Sequence, residues 1–339
     1  MAQARDGRAA SLPRLLAARS IQGAGHPWLL ALLAGRIPAL AAGVVFSALA
    51  ARIPVVLKPS SAEPVFARLL VKALEAAAPD LASAVTVADL PSRHPSLSAL
   101  AAAAPVALVY GSDSTVAAVL ALRPDLPTLT GPHRESAAIV FRDALGLDSF
   151  RRLAAALARD ISIYDQSGCL SPQVVLVEEG GDVSPMEFAA TVLESLRAIE
   201  RRWPPGPMPL DAAASMRLLV QEARMPAASS GPRAFPATGQ IPPLVIFSPG
   251  IPYRPGPGFR TIQVIAFRDA PDLPRLLAPL EGRLQGIAVS GDRRRLNAVL
   301  SASPRFRPHR ICAPGRLQSP PADWPENGIV LARELARLG

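Results

Sequence analysis

Cysteine is nearly absent from this 339-residue chain: Cys169 and Cys312 are its only two. They lie far apart, without a Cys-x-x-Cys spacing or a cluster of cysteines and histidines. That excludes a disulfide framework and a zinc site, so no metal is expected, and the natural compartment is a reducing cytoplasm. Lysine is equally scarce. Of the 36 basic residues only Lys58 and Lys72 are not arginine, and the longest basic block is Arg293-Arg294-Arg295. The net charge of +9 is thus spread out, and with aromatics at 5% there is little to stack on bases. No nucleic-acid groove is expected. Long apolar runs are missing as well. The most apolar region, 28–56, is broken by Arg36, Pro38 and Arg52, and Arg5, Arg8, Arg14 and Arg19 interrupt the start of the chain. Neither a membrane span nor a secretory signal is expected.

What is present is a chain that is 50% hydrophobic, built from Ala, Leu and Val, and long enough for about two domains. Residues 1–27 read as an irregular segment with a short helix at Leu12–Ala18. From Trp28 strands and helices alternate. Strands are expected at Trp28–Leu33, Pro54–Leu57, Ala84–Val87 and Val106–Tyr110, and helices at Ala39–Ala51, Glu63–Ala78, Leu97–Ala103 and Ser114–Leu122. Such alternation implies parallel pairing with right-handed crossovers, an α/β fold whose ligands bind at the carboxyl ends of the strands.

A strand at Ala137–Phe141 leads to a helix from Ser149 to about Ile161, with Phe150, Leu153, Ala154, Leu157, Ala158 and Ile161 on one face. From Ile163 the stretch reads as helix running out into a Gly168-Cys169 turn, then a buried strand at Gln173–Val177. Ser184-Pro185-Met186-Glu187 reads as a helix cap opening a helix to about Arg201. Residues 202–243 are Pro-rich and read as a surface excursion holding one helical pattern, Ala212–Ala223. Strands at Leu244–Phe247, Thr261–Phe267, Gly286–Val289 and His309–Cys312 follow, with helices around Leu273–Leu280 and Arg293–Ser301.

Three places invite chemistry. Cys169, in a Ser-Gly-Cys turn before a strand, has the setting of a presented nucleophile, against the plainer reading of a buried small hydrophobe. Lys58 ends a strand where nucleotides bind, against the reading of a solvated strand-end lysine. Tyr110-Gly111-Ser112 is a strand-turn-helix junction at which a phosphate can meet free N–H groups.

These segments together resemble the aldehyde dehydrogenase superfamily, and within it the LuxC-type acyl-CoA reductase family. The resemblance runs from about Trp28 to Leu335. It rests on the segment from Val55 through Lys58-Pro59-Ser60-Ser61 to Phe66, on Val109-Tyr110-Gly111-Ser112, and on Gly131 to Ser136. The segments Asp165-Gln166-Ser167-Gly168-Cys169-Leu170-Ser171-Pro172-Gln173 and Arg310 to Pro321, followed by Trp324, complete it. It implies an aldehyde dehydrogenase-like α/β fold: a parallel-sheet dinucleotide-binding domain at 28–145, a second α/β catalytic domain at 146–315 and a C-terminal segment at 316–339.

The activity it implies is NADPH-dependent reduction of a fatty acyl thioester, on coenzyme A or a carrier protein, to the aldehyde. Cys169 would hold the acyl group, with its own N–H as one oxyanion donor. The second donor in the superfamily is an Asn, and Gly35-Arg36-Ile37-Pro38 puts Arg36 there. Gly131 stands where hydrolytic relatives carry the Glu that activates water, while Glu135 falls at a non-catalytic place. The cofactor residues implied are Lys58, Ser60 and Ser61 at the adenosine end, Gly111 and Ser112 along the pyrophosphate, and Thr130 and Gly131 near the nicotinamide. Ser61 in place of a carboxylate favours NADPH. A second reading follows from Arg36: a catalytically impaired homologue acting as a binding or scaffolding subunit. Expected partners are an acyltransferase or an acyl-carrier protein, and further copies of the chain in a homo-oligomer.

Overall fold

The computed structural model describes residues 27–33, 35, 37–91, 94–131, 133–224, 232–235, 242–321, 324–326 and 329–337. Arg36 and the expected helix at Leu12–Ala18 lie outside these residues. Internal contacts divide the chain into two units, Met1–His133 with Asp323–Gly339, and Arg134–Ala322. The division therefore falls after His133 rather than near residue 145, and the end of the chain belongs to the first unit.

The first unit holds a five-stranded sheet in the order β3-β2-β1-β4-β5, parallel throughout. Its strands are Leu29–Leu32 (β1), Val55–Lys58 (β2), Val85–Val87 (β3), Val106–Tyr110 (β4) and Thr128–Gly131 (β5). Every residue of β1 and β2 is buried. Runs of Val and Leu without polar alternation are what a parallel sheet covered on both faces requires. The helices Leu40–Ala50 and Val65–Ala77 close one face, with Val44, Val45 and Ala48 against Leu29 and Val55. On the other face Leu100 and Ala101 of the helix Pro95–Ala103 pack with Leu30, Val56 and Ala107. The helix Asp113–Leu122 follows β4, and Leu331–Ala336 returns against Leu40–Ala50. β5 and this last helix are additions to the elements expected from the sequence.

The second unit is built on a seven-stranded sheet in the order β12-β11-β6-β7-β10-β9-β8. Its strands are Glu135–Val140 (β6), Pro172–Glu178 (β7), Arg233–Phe235 (β8), Leu244–Phe247 (β9), Thr261–Phe267 (β10), Leu284–Ser290 (β11) and Arg310–Cys312 (β12). All pairings are parallel except that of β8 with β9. The helices Phe150–Ser162 and Pro185–Arg202 cover one face, Leu157, Ile161, Phe188 and Val192 meeting Val175 and Val264. The other face is covered by Leu273, Leu276, Leu280 and Leu296. The expected cap holds: Ser184 Oγ accepts from the Glu187 N–H at 3.2 Å, with Pro185 first in the helix.

Three expectations are corrected. The stretch from Ile163 does not continue the α-helix, which stops at Ser162; it is a short 3-10 turn, Ile163–Gln166, in which Tyr164, Asp165 and Gln166 take φ of 56°, 48° and 63°. The 202–243 region is not merely surface: Ala212, Met216 and Val220 of the helix Leu210–Arg224 and Ala234 of β8 are buried against Leu244, Ile246 and Phe259. The helix around 273–280 is two short pieces, Leu273–Leu276 and a 3-10 turn at Ala278–Leu280, separated where Pro279 supplies no N–H donor.

Candidate functional site

In the first unit the strand order places β1 between β2 and β4, the point from which connections leave in opposite directions and where a crevice opens. A cavity of about 760 Å³ lies there, lined by Lys58, Ser60, Ser61, His94, Ser114 and Thr115 among others. Lys58 is the last residue of β2 and only 5% exposed. Burial pushes its ammonium pKa down, and the charge of Asp89 partly offsets this. A buried cation in an open crevice suits an anionic ligand. Ser60 Oγ accepts from the Ala62 N–H at 3.1 Å and so shapes the turn, while Ser61 is exposed.

Gly111 and Ser112 do not line this cavity. Ser112 instead caps the helix Asp113–Leu122, its Oγ accepting from the Thr115 N–H at 3.3 Å, and so delivers Ser114 and Thr115 to the cavity wall. A Cβ on Gly111 would lie 2.8 Å from that of Thr115, so the turn needs glycine. His94 is a residue that the motifs of the sequence did not bring forward. Its Nδ1 accepts from the Ser96 N–H at 3.2 Å, capping Pro95–Ala103, and the ring lines the cavity. The signal was there, in a His-Pro pair opening an apolar helix.

Thr130 and Gly131 close a separate, small cavity with Tyr110 and Glu326. A Cβ on Gly131 would stand 2.7 Å from Cδ1 of the Tyr110 ring. The Tyr110 hydroxyl in turn donates to Glu326 Oε2 at 2.9 Å, and burial pushes the Glu326 carboxyl up, that hydrogen bond opposing it.

In the second unit the candidate residues sit at the amino ends of the strands, with Cys169 in the turn before a strand. Cys169 precedes β7, Arg134 precedes β6, Gly282 and Arg283 precede β11, and His309 precedes β12. Because β12, β11, β6 and β7 are parallel neighbours, all these residues gather at one amino edge. The carboxyl edge is closed by ion pairs. Glu178 Oε1 meets Arg142 Nη2 at 2.9 Å and Arg295 Nη2 at 2.5 Å, and Arg295 also reaches Asp269 at 2.6 Å.

The thiol of Cys169 is half-buried in a tight turn, in which the Ser171 N–H bonds the Gly168 carbonyl at 2.9 Å. Ser136 Oγ donates to the Cys169 carbonyl at 2.7 Å, beside a register irregularity between Ser136 and Ala137 that redirects the start of β6. Upstream, the left-handed residues are held by specific partners. Asp165 pairs with Arg260 at 2.8 Å and accepts from the Gly206 N–H at 2.8 Å, and Gln166 Nε2 donates to the Pro172 carbonyl at 2.9 Å. Downstream, Gln318 Nε2 bonds Ser171 Oγ at 2.6 Å and the Asp160 carbonyl at 3.1 Å, while the Gly315 N–H bonds Asp160 Oδ2 at 2.6 Å. Burial pushes the Asp160 carboxyl up, and hydrogen bonds from the backbone N–H groups of Gly315, Leu317 and Gln318 pull it back. The segment Arg310 to Pro321 is thus a clamp on the cysteine turn.

Glu135 points away from this edge and accepts a short hydrogen bond from the buried Tyr253 hydroxyl, whose pKa burial and then the Glu135 charge push up. Burial also pushes the Cys312 thiol up, with Arg310 opposing. Among the described residues no group of His, Cys, Asp and Glu is placed to hold a metal, and no helix is long and apolar enough to cross a membrane.

Solved structures share this fold. The aldehyde dehydrogenase KauB from Pseudomonas aeruginosa aligns with TM-score 0.64 at 18% identity, over 85% of this chain and 60% of that one. An oxidoreductase from Marinobacter aquaeolei aligns with TM-score 0.68 at 15% identity, over 91% of this chain and 66% of that one. The P. syringae indole-3-acetaldehyde dehydrogenase AldA, in complex with NAD+ and IAA, aligns with TM-score 0.62 at 18% identity, over 85% of this chain and 60% of that one. The chain therefore spans about 60% of the length of the first of these relatives. A search among curated proteins finds no match. The sequence profile of the acyl-CoA reductase (LuxC) family matches residues 16–338, nearly the whole length, and on that ground the chain belongs to this family.

Proposed function

We propose that the protein reduces a fatty acyl thioester to the aldehyde with NADPH, through a thioester on Cys169. The observation that carries this reading is the cysteine turn. Its thiol is half-buried, its carbonyl is tied by Ser136, and its flanks are fixed by Asp165, Gln166 and Gln318. A cysteine that serves only to fill a core needs none of this. Such fixing holds a nucleophile against the acyl carbon at little entropic cost when the substrate arrives.

In the proposed reaction the Cys169 thiolate adds to the acyl carbonyl, and the carrier thiolate leaves and takes a proton. Reduced nicotinamide, when bound, supplies a hydride to the resulting thioester carbon. The tetrahedral adduct then takes a proton and collapses, releasing the aldehyde and restoring the Cys169 sulfur. The Cys169 N–H is one oxyanion donor in this reading, and Arg36 is proposed as the second.

The dinucleotide fits the first unit's cavity. Lys58 is a buried cation in its wall, and Ser61 brings no negative charge against a 2′-phosphate. Lys58, Ser60 and Ser61 are proposed to hold the adenosine end, joined by His94. Gly111 and Ser112 would act through the turn that presents Ser114 and Thr115. Gly131 supports reduction over hydrolysis, because it offers no carboxylate to activate water and the space a side chain needs is filled by Tyr110.

The test is incubation with a long-chain acyl-CoA, or with an acyl-carrier protein bearing the same chain, followed by intact mass measurement with and without NADPH. An acyl adduct absent in Cys169→Ala and discharged as aldehyde by NADPH supports the reading. Absence of any adduct with either donor overturns it, and leaves the binding-subunit role.

A further inference from the structure

Arg134 directly precedes β6, two residues before Ser136, whose hydroxyl reaches the Cys169 carbonyl, while Glu135 between them accepts from Tyr253. Arg134 is anchored there: Nη1 donates to the Gly282 carbonyl at 3.3 Å, and Nε is buried without a hydrogen-bond partner. Burial pushes the guanidinium pKa down, and the charge that opposes this is the negative form of Cys169. The acids nearby in sequence or fold are otherwise engaged. Asp165 is paired with Arg260, Asp160 is held by Gly315, and Glu135 is on the far side. The next cation along the edge, Arg310, is directed elsewhere, its Nη2 donating to the Arg316 and Ser319 carbonyls and its charge acting on Cys312. Burial first, and the Arg134 charge second, push His309 below its ordinary value.

We propose that Arg134, fixed on Gly282 at the amino end of β6, is the counter-cation that keeps Cys169 as a thiolate. A guanidinium keeps its charge even when partly buried. It is a positioning residue acting through the sulfur. The inference rests on Cys169 being the nucleophile, though not on the identity of its substrate.

The test is the pH dependence of Cys169 alkylation by iodoacetamide on the full-length protein, resolved from Cys312 by peptide mass. In the wild type the midpoint is expected below that of a free cysteine, about 8.5. Arg134→Gln should raise it by about one pH unit, the lower end of the effect of a neighbouring opposite charge, and slow alkylation at pH 7 by roughly tenfold. Arg134→Lys should recover most of the shift. A structural role alone would not be rescued by Lys in a pH midpoint. A wild-type midpoint already at the free-cysteine value overturns the proposal even if the variants fail to fold, and so does a midpoint unmoved in a folded Arg134→Gln. A low wild-type midpoint with no acyl adduct would uphold the thiolate and sink acyl reduction. An adduct with an unmoved midpoint would do the reverse.

Discussion

Ser136 donates its hydroxyl hydrogen bond to the carbonyl of Cys169 at 2.7 Å, joining the start of β6 to the turn before β7. Ser136 is fully buried, and its removal leaves the carbonyl of the half-buried Cys169 without this partner. Ser136→Ala is expected to cost about 1–3 kcal/mol in denaturant unfolding. It should also slow acylation of Cys169 while leaving NADPH affinity unchanged, read by stopped-flow acylation and by equilibrium titration of the cofactor. Equal loss in both would contradict the assignment.

Ser61→Asp places a carboxylate in the cavity that holds Lys58. Repulsion of a 2′-phosphate should weaken NADPH binding by about tenfold, or ~1.4 kcal/mol, and leave NADH binding little changed. Comparing the two dissociation constants by isothermal titration decides the matter.

Gly131→Ala forces a methyl to within 2.7 Å of Cδ1 of the Tyr110 ring. The expected loss is about 1–3 kcal/mol of stability. In the double variant with Tyr110→Ala the two losses should not add, because the larger ring no longer meets the methyl. A thermal-melt cycle of the four proteins measures this. The same contact predicts that Gly131→Glu does not by itself create an efficient thioester hydrolase.

Burial alone would push the Glu178 carboxyl up, but hydrogen bonds from Arg295 and Arg142 outweigh it and hold the pKa at about 2, below its ordinary 4.5. Its stabilising contribution is therefore complete above about pH 4.5 and is lost as pH falls toward 2. Urea unfolding between pH 5 and pH 2 should show this acid limb, on the order of 2–3 kcal/mol, and Glu178→Gln should flatten it.

Most strands were legible because a sheet covered on both faces needs unbroken apolar runs, and Val55-Val56-Leu57 or Val174-Val175-Leu176-Val177 can do little else. β5 and β8 were missed because their residues, Thr128 to Gly131 and Arg233 to Phe235, carry no such run and pair at sheet edges. The kink at Tyr164–Gln166 was hidden because no glycine marks it, and its left-handed backbone is imposed by distant partners, Arg260 and Gly206. Cys169, Lys58 and Ser61 could be singled out from local motifs. Arg134 could not, since its nearness to Cys169 exists only once β6 and β7 are paired in register. That Cys169 precedes a strand was legible locally, but which other strand starts lie beside it is decided by the strand order.

The gathering of Arg134, Cys169, Gly282 and His309 from four separate strand starts also ties chemical reactivity to the completeness of the sheet. Closing these long-range pairings comes late in folding, after local helices are already available. In the proposed reading the finished sheet is what brings a cation to the thiol, so the rate of Cys169 alkylation is expected to report the last step of assembly.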